Sequence, residues 1–306
     1  MSLCKYLSRK SRTTLAQKSG SISIPMSSDI QIFDRALLAV KRERAAKSFQ
    51  DYDFLFKWTH SNLLERLEVI KRDFDRIVQI GARGGRILGN AAMIDLGDAF
   101  SPDIHADAEF FPFGNESLDC VISALDLHSI NDLPGALLQI KRALKPDGMF
   151  IAAMFGGESL YELRASLSAA EMDLRGGMSP RVFPFADKQE LGALMQRAGF
   201  SLPVVDSEIV TVTYEHMFKL LGDLRGMGES NIISARDKAY VGREFFMKAA
   251  QHYAENYAED DGRIVASFEI LFMIGWAPHD SQQQPLKPGS AETRLADALD
   301  SKETKL

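Results

Sequence analysis

One acidic residue precedes an aromatic turn, a combination that could bind a purine base. Asp107 is followed closely by the apolar segment from Phe110 to Phe113. The apolar side chains could wall an adenine ring, while the carboxylate accepts a hydrogen bond from the exocyclic amino group of the base. We therefore interpret Asp107, together with the adjoining Ala108, as a candidate contact to a nucleoside cofactor.

A glycine-rich turn follows the first predicted strand, residues 76–80. The turn reads Gly81-Ala82-Arg83-Gly84-Gly85. Such a turn lets backbone N–H groups approach a ligand, and the strands and helices that alternate after it support this interpretation. The alternative is a tight turn without a ligand. We interpret the five residues as candidate cofactor contacts.

An acid at the end of the second predicted strand could bind both hydroxyl groups of a ribose. Asp95 stands at that position, and Asp98 is a second candidate. The alternative is a surface acid in a loop, because residues 85–95 are few for a helix followed by a strand. We interpret Asp95 as a cofactor contact.

His128 follows the predicted strand at 118–124, where ligands of a parallel sheet bind. An imidazole there could act as a base near neutral pH, or it could hold the loop through a hydrogen bond. Ala124 and Leu125, at the end of the same strand, are predicted to contact the cofactor. Tyr161 is a second catalytic candidate, on the substrate side. No cluster of His, Cys and carboxylates has metal-ligand spacing, so no metal is predicted.

These residues need a sheet that brings strand ends together. An apolar run at 118–124, a helical pattern at 131–144 and an apolar run at 149–154 follow one another, with KPDG at 145–148 as the helix stop. This order predicts a parallel α/β sheet with ligands at the carboxyl ends of its strands. The other predicted elements are helices at 32–49, 52–71 and 188–198, strands at 76–80, 91–96, 204–214 and 264–276 (the last two antiparallel), and partly helical insertions at 155–185 and 215–262.

Composition excludes several classes of protein. The 306 residues suffice for one large α/β domain or two small ones. A net charge of −6 with dispersed basic residues argues against a nucleic-acid partner. No apolar run approaches the roughly 20 residues of a transmembrane helix, so no transmembrane segment is predicted. Two cysteines, Cys4 and Cys120, are too few for a disulfide framework or a zinc site.

Both ends of the chain differ from the middle. Residues 1–31 are basic, with five Lys and Arg residues before the first acid, Asp29. We predict a disordered tail; a mitochondrial transit peptide and a true start at Met26 are the alternatives. Residues 280–306 are rich in Gln, Pro, Ser and charge and are also predicted to be disordered. Residues 32–279 remain as one domain that begins with two helices at 32–71.

Five stretches carry a resemblance to a known family: NDLP at 131–134, KPDG at 145–148, MFGGESLYELR at 154–164, GMGESN at 226–231 and MIGW at 273–276. They are similar to the mitochondrial assembly factors of respiratory complex I that hydroxylate an arginine, and to alphaproteobacterial relatives of these factors. The resemblance runs from about residue 32 to residue 291. Malonyl-carrier-protein O-methyltransferases of biotin synthesis are more distant relatives.

The resemblance places the chain in the class I S-adenosylmethionine-dependent methyltransferase superfamily. It implies a Rossmann-like α/β fold: a mostly parallel seven-stranded sheet with an antiparallel last strand and helical cap insertions. It implies S-adenosylmethionine as the cofactor and a subunit of complex I as a protein client. The activity would be methyl transfer or arginine hydroxylation.

The glycine turn departs from the family pattern Asp-Leu-Gly-Cys-Gly-x-Gly. Gln79, Ala82 and Arg83 stand at the positions of the acid, the cysteine and the middle glycine. Arg83 brings bulk and charge to the place where the methionine part of the cofactor would lie. The alternative functions are therefore a non-catalytic assembly chaperone with a degenerate cofactor pocket and a biotin-pathway-like O-methyltransferase.

The expected location follows from the same resemblance. Residues 42–56 are similar to bacterial relatives, which favours a bacterial cytoplasm. The basic amino-terminal tail leaves the mitochondrial matrix as the alternative. The sequence does not predict the oligomeric state.

Overall fold

A seven-stranded sheet is the centre of the part of the chain that the computed structural model describes, residues 31–283, 289–290, 293 and 295–298. The strands are β1 (Ile77–Ile80), β2 (Ala92–Asp95), β3 (Ile104–His105), β4 (Leu118–Ala124), β5 (Leu144–Phe155), β6 (Ser201–Tyr214) and β7 (Ile264–Trp276). Their order is β3-β2-β1-β4-β5-β7-β6. β7 is antiparallel to both neighbours, and the pairs from β3 to β5 are parallel. The predicted fold class is confirmed.

Helices cover the sheet and form the cap insertions. They are α1 (Arg35–Ala46), α2 (Phe54–Val69), α3 (Leu133–Ala143), α4 (Tyr161–Arg175), α5 (Lys188–Ala198), α6 (Met217–Gly226), α7 (Arg243–Tyr257) and the short α8 (Leu295–Ala298). Helix α5 has the predicted bounds. It begins with a capping box between Asp187 and Glu190 and ends before Gly199, whose φ of +86° is the left-handed conformation of a helix C-terminus.

Two hydrophobic layers lie on the two faces of the sheet, because successive side chains of a strand point to opposite sides. In β4, Cys120 and Ile122 face the layer that contains α2, α4 and α7. Val121, between them, faces the layer that contains α3 and α5. Both faces of β4 are therefore buried, which explains its nearly continuous apolar sequence.

The connections around the first four strands differ from those of a regular α/β sheet. No helix separates β1 from β2; residues 81–91 form turns, in keeping with the shortness of this segment. Helix α3 ends at Ala143, just before the KPDG stretch that was predicted to stop it, but β5 begins at Leu144 and not at 149 as predicted. A register shift between Leu118 and Cys120 accommodates the irregular start of β5.

Helix α1 is fixed at its amino-terminal end to the segment that follows α6. The backbone N–H of Asp34 donates to the carbonyl oxygen of Ile232 at 2.8 Å, and Phe33 forms an isolated antiparallel bridge with Ile233. The Asp34 side chain caps the helix by accepting from the N–H of Leu37. These contacts place α1 beside the carboxyl ends of the parallel strands.

The predicted tails lie largely outside the described residues. Of the basic tail at 1–31, only Gln31 is described, so the transit-peptide alternative lies outside them too. Of residues 280–306, the described part consists of 280–283, 289–290, 293 and α8. The disorder predicted for both tails stays a prediction.

A glycine at the end of α6 allows a close contact with Tyr52. A Cβ atom at Gly226 would overlap the Tyr52 ring, whereas a Cβ at Gly222, on the same helix, would meet nothing within 4 Å. We expect Gly226→Ala to lower the free energy of unfolding by about 1–3 kcal/mol through overpacking. Gly222→Ala should raise it by up to about 1 kcal/mol through helix propensity. Urea denaturation measures both, and equal effects would contradict the close packing.

Candidate active site

Four acidic side chains lie at the carboxyl ends of the parallel strands, and we call them the acidic edge. Asp95 ends β2, Asp107 follows β3, Asp126 follows β4, and Glu229 belongs to the segment after α6. Asp95, Asp126 and Glu229 have buried side chains, whereas Asp107 is partly exposed. Parallel strands bring these residues, which are far apart in the sequence, to one edge of the sheet.

Two arginines form ion pairs with the three buried acids. Nη2 of Arg42, on α1, lies 2.6 Å from Oδ1 of Asp126, and its Nη1 lies 3.4 Å from Oδ1 of Asp95. Nη1 of Arg83, in the glycine turn, lies 2.5 Å from Oε1 of Glu229, and its Nη2 lies 3.6 Å from Oδ1 of Asp126. The two guanidinium groups thus join the ends of β2 and β4 to the segment after α6.

The side chain of Arg83 is buried among protein atoms. Its guanidinium donates to the carbonyl oxygens of Leu125 at 2.6 Å and Met227 at 3.1 Å. The group lies over the Phe56 ring, 4.7 Å from the centroid, in a cation–π arrangement. The residue is 1% exposed, so the guanidinium fills the position after β1 instead of extending into solvent.

Asp107 is held by a third arginine, also from α1. Nη2 of Arg35 lies 2.5 Å from Oδ1 of Asp107, and its Nε lies 3.4 Å from Oδ2. Nη1 of the same side chain donates to the carbonyl and hydroxyl oxygens of Ser129 at 3.2 and 3.1 Å. This two-point contact with a carboxylate is the geometry that arginine favours.

The arginines determine the charge state of the acidic edge. Burial alone would raise the pKa of Glu229, but the charges of His128 and Arg83 outweigh it and hold this pKa well below its usual value. Burial also opposes ionisation of Asp126, and Arg42 and Arg83 outweigh it and lower its pKa.

Gln79 holds the glycine turn in shape. Its Nε2 donates to the carbonyl oxygens of Gly81 at 2.9 Å and Gly85 at 2.8 Å, and its Oε1 accepts from the N–H of Ile87 at 2.8 Å. The amide therefore satisfies backbone groups of the turn itself. An acid at this position, as in the family pattern, could not donate the first two bonds.

Protein atoms pack against the glycine turn at the place where a cofactor would lie. A Cβ atom at Gly81 would meet the Asp126 side chain at 3.3 Å, and one at Gly84 would meet the His60 ring at 2.9 Å. Ala82, Ala124 and Leu125, three of the predicted cofactor contacts, are buried in this packing. Together with the enclosed Arg83, these contacts mean that the described conformation does not fit an adenosyl group.

An apolar cavity of about 240 Å³ adjoins the acidic edge. Glu229 is part of its lining, as are Ser230 and Asn231 from the same segment. Aromatic and aliphatic side chains from β5, β7 and the cap insertions form most of its wall: Phe155, Leu160, Leu163, Leu167, Phe183, Phe185, Leu221, Leu224, Phe246 and Phe268. Such a mixture of apolar walls and few polar groups is typical of a ligand site.

The two predicted catalytic residues lie in different surroundings. Nε2 of His128 is 3.0 Å from Oε2 of Glu229, and the ring packs edge-on against Phe155 with centroids 4.9 Å apart. Its Nδ1 is buried without a hydrogen-bond partner in the described residues. Tyr161 is 42% exposed and packs edge-on against Tyr257. The structure thus places His128 at the acidic edge and Tyr161 on the surface at the start of α4.

The predicted cofactor contacts are close to one another, but their partners were not predicted. Asp95 accepts from the N–H of Ala82 at 2.9 Å, which joins the end of β2 to the glycine turn. Ala108 is buried beside Asp107. Sequence reasoning missed Arg35, Arg42, Asp126 and Glu229. Glu229 had a signal, because it lies in the GMGESN stretch that carries the family resemblance.

Candidate metal groups and membrane-spanning helices are both absent from the part of the chain that the structure describes. No group of three or more His, Cys, Asp and Glu side chains there could hold a metal ion. No helix among the same residues has the length and apolar character to cross a bilayer.

Comparison with known proteins agrees with the fold. Residues 89–152 match a family model described as a methyltransferase domain. The chain is 41% identical to the mitochondrial arginine-hydroxylase NDUFAF5 of Rattus norvegicus over 288 residues, 88% of this chain and 84% of the relative. It is 40% identical to the Homo sapiens protein over 86% and 81% of the two chains. A malonyl-[acyl-carrier protein] O-methyltransferase of Halorhodospira halophila is 28% identical over 87% and 95%.

The chain is therefore a methyltransferase-superfamily protein with a Rossmann-like sheet. Within that superfamily, it belongs to the family of the NDUFAF5 arginine hydroxylases. The predicted family and the class of S-adenosylmethionine-dependent enzyme are confirmed, and S-adenosylmethionine is the cofactor of that class. The described conformation, with arginines on every carboxylate of the acidic edge, is one that this cofactor does not fit.

Removal of the Glu229 charge should destabilise the fold. In Glu229→Gln, the buried Arg83 and His128 lose the carboxylate that balances them. We expect the free energy of unfolding at pH 7 to fall by about 3–5 kcal/mol, the cost of breaking a buried ion pair. Asp173→Asn, which removes the partner of Lys248 on the surface, is the control and should change it little. Urea denaturation measures both variants.

The same variant should be less sensitive to acid. The pKa of Glu229 lies below its ordinary value of 4.5 in the folded chain, so its stabilising contribution is present above pH 4.5 and is lost as the pH falls towards the folded-state pKa. Without this carboxylate, the free energy of unfolding should fall less steeply below pH 4.5 than in the wild type. Parallel slopes for both proteins would show that Glu229 is not held ionised by its neighbours.

Proposed function

We propose that the chain acts in complex I assembly on an arginine side chain of a protein client. The relatives at 40–41% identity are named as arginine hydroxylases, which supports an arginine as the group acted on. The observation that carries the proposal is the position of Glu229, which belongs both to the acidic edge and to the wall of the apolar cavity.

An arginine side chain matches this cavity chemically. Its aliphatic stem can pack against the aromatic wall, and its planar guanidinium can bind a carboxylate or stack on a ring. Arg83 itself makes both kinds of contact, because its guanidinium pairs with the Glu229 carboxylate and stacks on the Phe56 ring. Each carboxylate oxygen of Glu229 has one described partner, Arg83 or His128, and retains a further lone pair.

The cavity wall, Glu229 and His128 would each have a separate role in a complex with a client arginine. The cavity wall excludes water and orients the side chain, Glu229 holds its charged end, and His128, hydrogen-bonded to Glu229, is the side chain placed to exchange a proton there. S-adenosylmethionine, when bound, would supply the methyl group of a methyl transfer, whereas hydroxylation would require a separate oxidant as the source of its oxygen atom. The predicted role of Tyr161 on the substrate side would then be contact with the client surface, because its ring is exposed.

A second function has a specific observation in its favour. Arg35, Arg42 and Arg83 occupy the carboxylates and the turn that would hold the cofactor. A chain that stays in this conformation would hold a client without modifying it. This is the assembly chaperone with a degenerate cofactor pocket, and it uses the same cavity.

We also propose where the protein works. The curated relatives are mitochondrial by name, which supports the matrix of mitochondria. The likeness of residues 42–56 to bacterial relatives supports a bacterial cytoplasm. Both places are compatible with a client from respiratory complex I.

Mass spectrometry of complex I from a strain that lacks the gene tests the proposal. Complementation with the wild type should restore complex I and add one oxygen atom (hydroxylation) or one methyl group (methylation) to an arginine of a subunit. Glu229→Gln and Leu221→Trp, which fills the cavity from α6, should each reduce the modified fraction at least about tenfold. Asp173→Asn should act like the wild type.

The outcomes separate the two functions. Unmodified arginines with an amount of complex I that depends on the gene would establish the chaperone function instead of the enzyme. Arginine masses and complex I levels that do not change on deletion would contradict a role in assembly altogether.

A further inference from the structure

Helix α1 supplies two of the three guanidinium groups at the acidic edge. Arg35 binds Asp107, and Arg42 binds Asp95 and Asp126. Asp95 and Asp107 are the acids that sequence analysis assigned to the ribose and the adenine of a nucleoside. The helix therefore engages both carboxylates from outside the sheet, and its arginines take the place of the hydroxyl and amino groups of a ligand.

Backbone groups take part of the remaining acceptor capacity of these carboxylates. Asp95 accepts from the backbone N–H groups of Ala82 at 2.9 Å and Leu96 at 2.7 Å. Asp107 accepts from the N–H of Glu109 at 3.0 Å. A carboxylate offers about four acceptor directions in total, and a ribose diol requires two of them. With Arg42 in place, Asp95 therefore lacks the two free directions of a diol, which can bind there only where this guanidinium group has left.

Some buried donors at the acidic edge lack hydrogen bonds when α1 is docked. Nε of Arg42 and Nε of Arg83 are buried and have no hydrogen-bond partner in the described residues. Buried donors without partners disfavour the conformation that contains them. The docked position of α1 thus combines strong ion pairs with buried donors that lack hydrogen bonds. The missing hydrogen bonds favour movement of α1 away from the sheet.

Helix α1 also has little apolar anchoring. Of its twelve residues, Leu38, Arg42 and Ala45 are buried, and Val40 is 40% exposed. Elements with few buried apolar contacts open at lower free energy than the core of a fold. The ion pairs of Arg35 and Arg42 therefore add to the apolar contacts of Phe33 and Leu38 at the amino-terminal end in holding α1 in place.

We infer that docked α1 and a bound adenosyl group exclude each other, so that cofactor enters the acidic edge only after α1 has moved away. Helix α1 is then an autoinhibitory element that controls access to the cofactor site. The inference concerns cofactor entry alone and holds whichever client is modified. Because the open form is a minor population, the apparent affinity for cofactor is reduced by the fraction of molecules that are open.

Isothermal titration of the full chain with S-adenosylmethionine tests the affinity. Arg35→Gln and Arg42→Gln remove the two ion pairs that hold α1, so we expect each to tighten binding about fivefold or more. Arg44→Gln, on the same helix but without a carboxylate partner in the described residues, should bind like the wild type. Arg35 lies near the surface, so its variant remains informative if Arg42→Gln fails to fold.

Hydrogen exchange of the α1 amides supplies a second measurement on the same samples. Addition of S-adenosylmethionine to the wild type should speed exchange across residues 36–46, while the amides of β4 stay protected. Binding with unchanged or slower exchange in α1 would overturn the inference. So would affinities that neither variant alters, or a lack of binding by the wild type and both variants at millimolar ligand, because release of α1 would then not admit the nucleoside. None of these results depends on a client.

Discussion

The balance between buried carboxylates and buried guanidinium groups is the interaction on which the rest of the site depends. Loss of one member would leave an opposite charge buried without a partner, which is far more costly than breaking a surface pair. The balance joins five separate parts of the chain: α1, the glycine turn, the end of β2, the loop after β4 and the GMGESN segment. Gly228, in contact with Arg42, has a φ of +82°, a left-handed conformation that favours glycine in this segment.

Glu229 connects this charge balance with the cavity. Its carboxylate is bound by Arg83 and His128 on one side and borders an apolar wall on the other. Any group that enters the cavity with a charge will therefore change the electrostatics of the edge, and any change at the edge will alter what the cavity binds. In the proposed function, client binding and cofactor entry are therefore coupled through this one side chain.

The sequence predicted the sheet better than it predicted the site. β4 and β7 have the expected bounds because apolar, β-branched runs of that length fit buried strands. Asp95 was proposed because ligands bind at strand ends, and Asp107 because it precedes an aromatic turn; their role as cofactor contacts stays a prediction. Arg42 was not, because its partners Asp95 and Asp126 lie on other elements, and a single arginine on an amphipathic helix is usually a solvated residue. Pairings across the fold have no local pattern.

The hydrogen bonds of Gln79 limit how this chain can evolve. Its amide donates to two carbonyl oxygens of the glycine turn, Gly81 and Gly85. A mutation back to a carboxylate would set a negative charge against both oxygens while Arg83 still fills the space beyond the turn. Replacement of Gln79 alone therefore does not restore the family motif. A chain with a carboxylate at this position and Arg83 unchanged is expected to be less stable, so the two residues would have to change together.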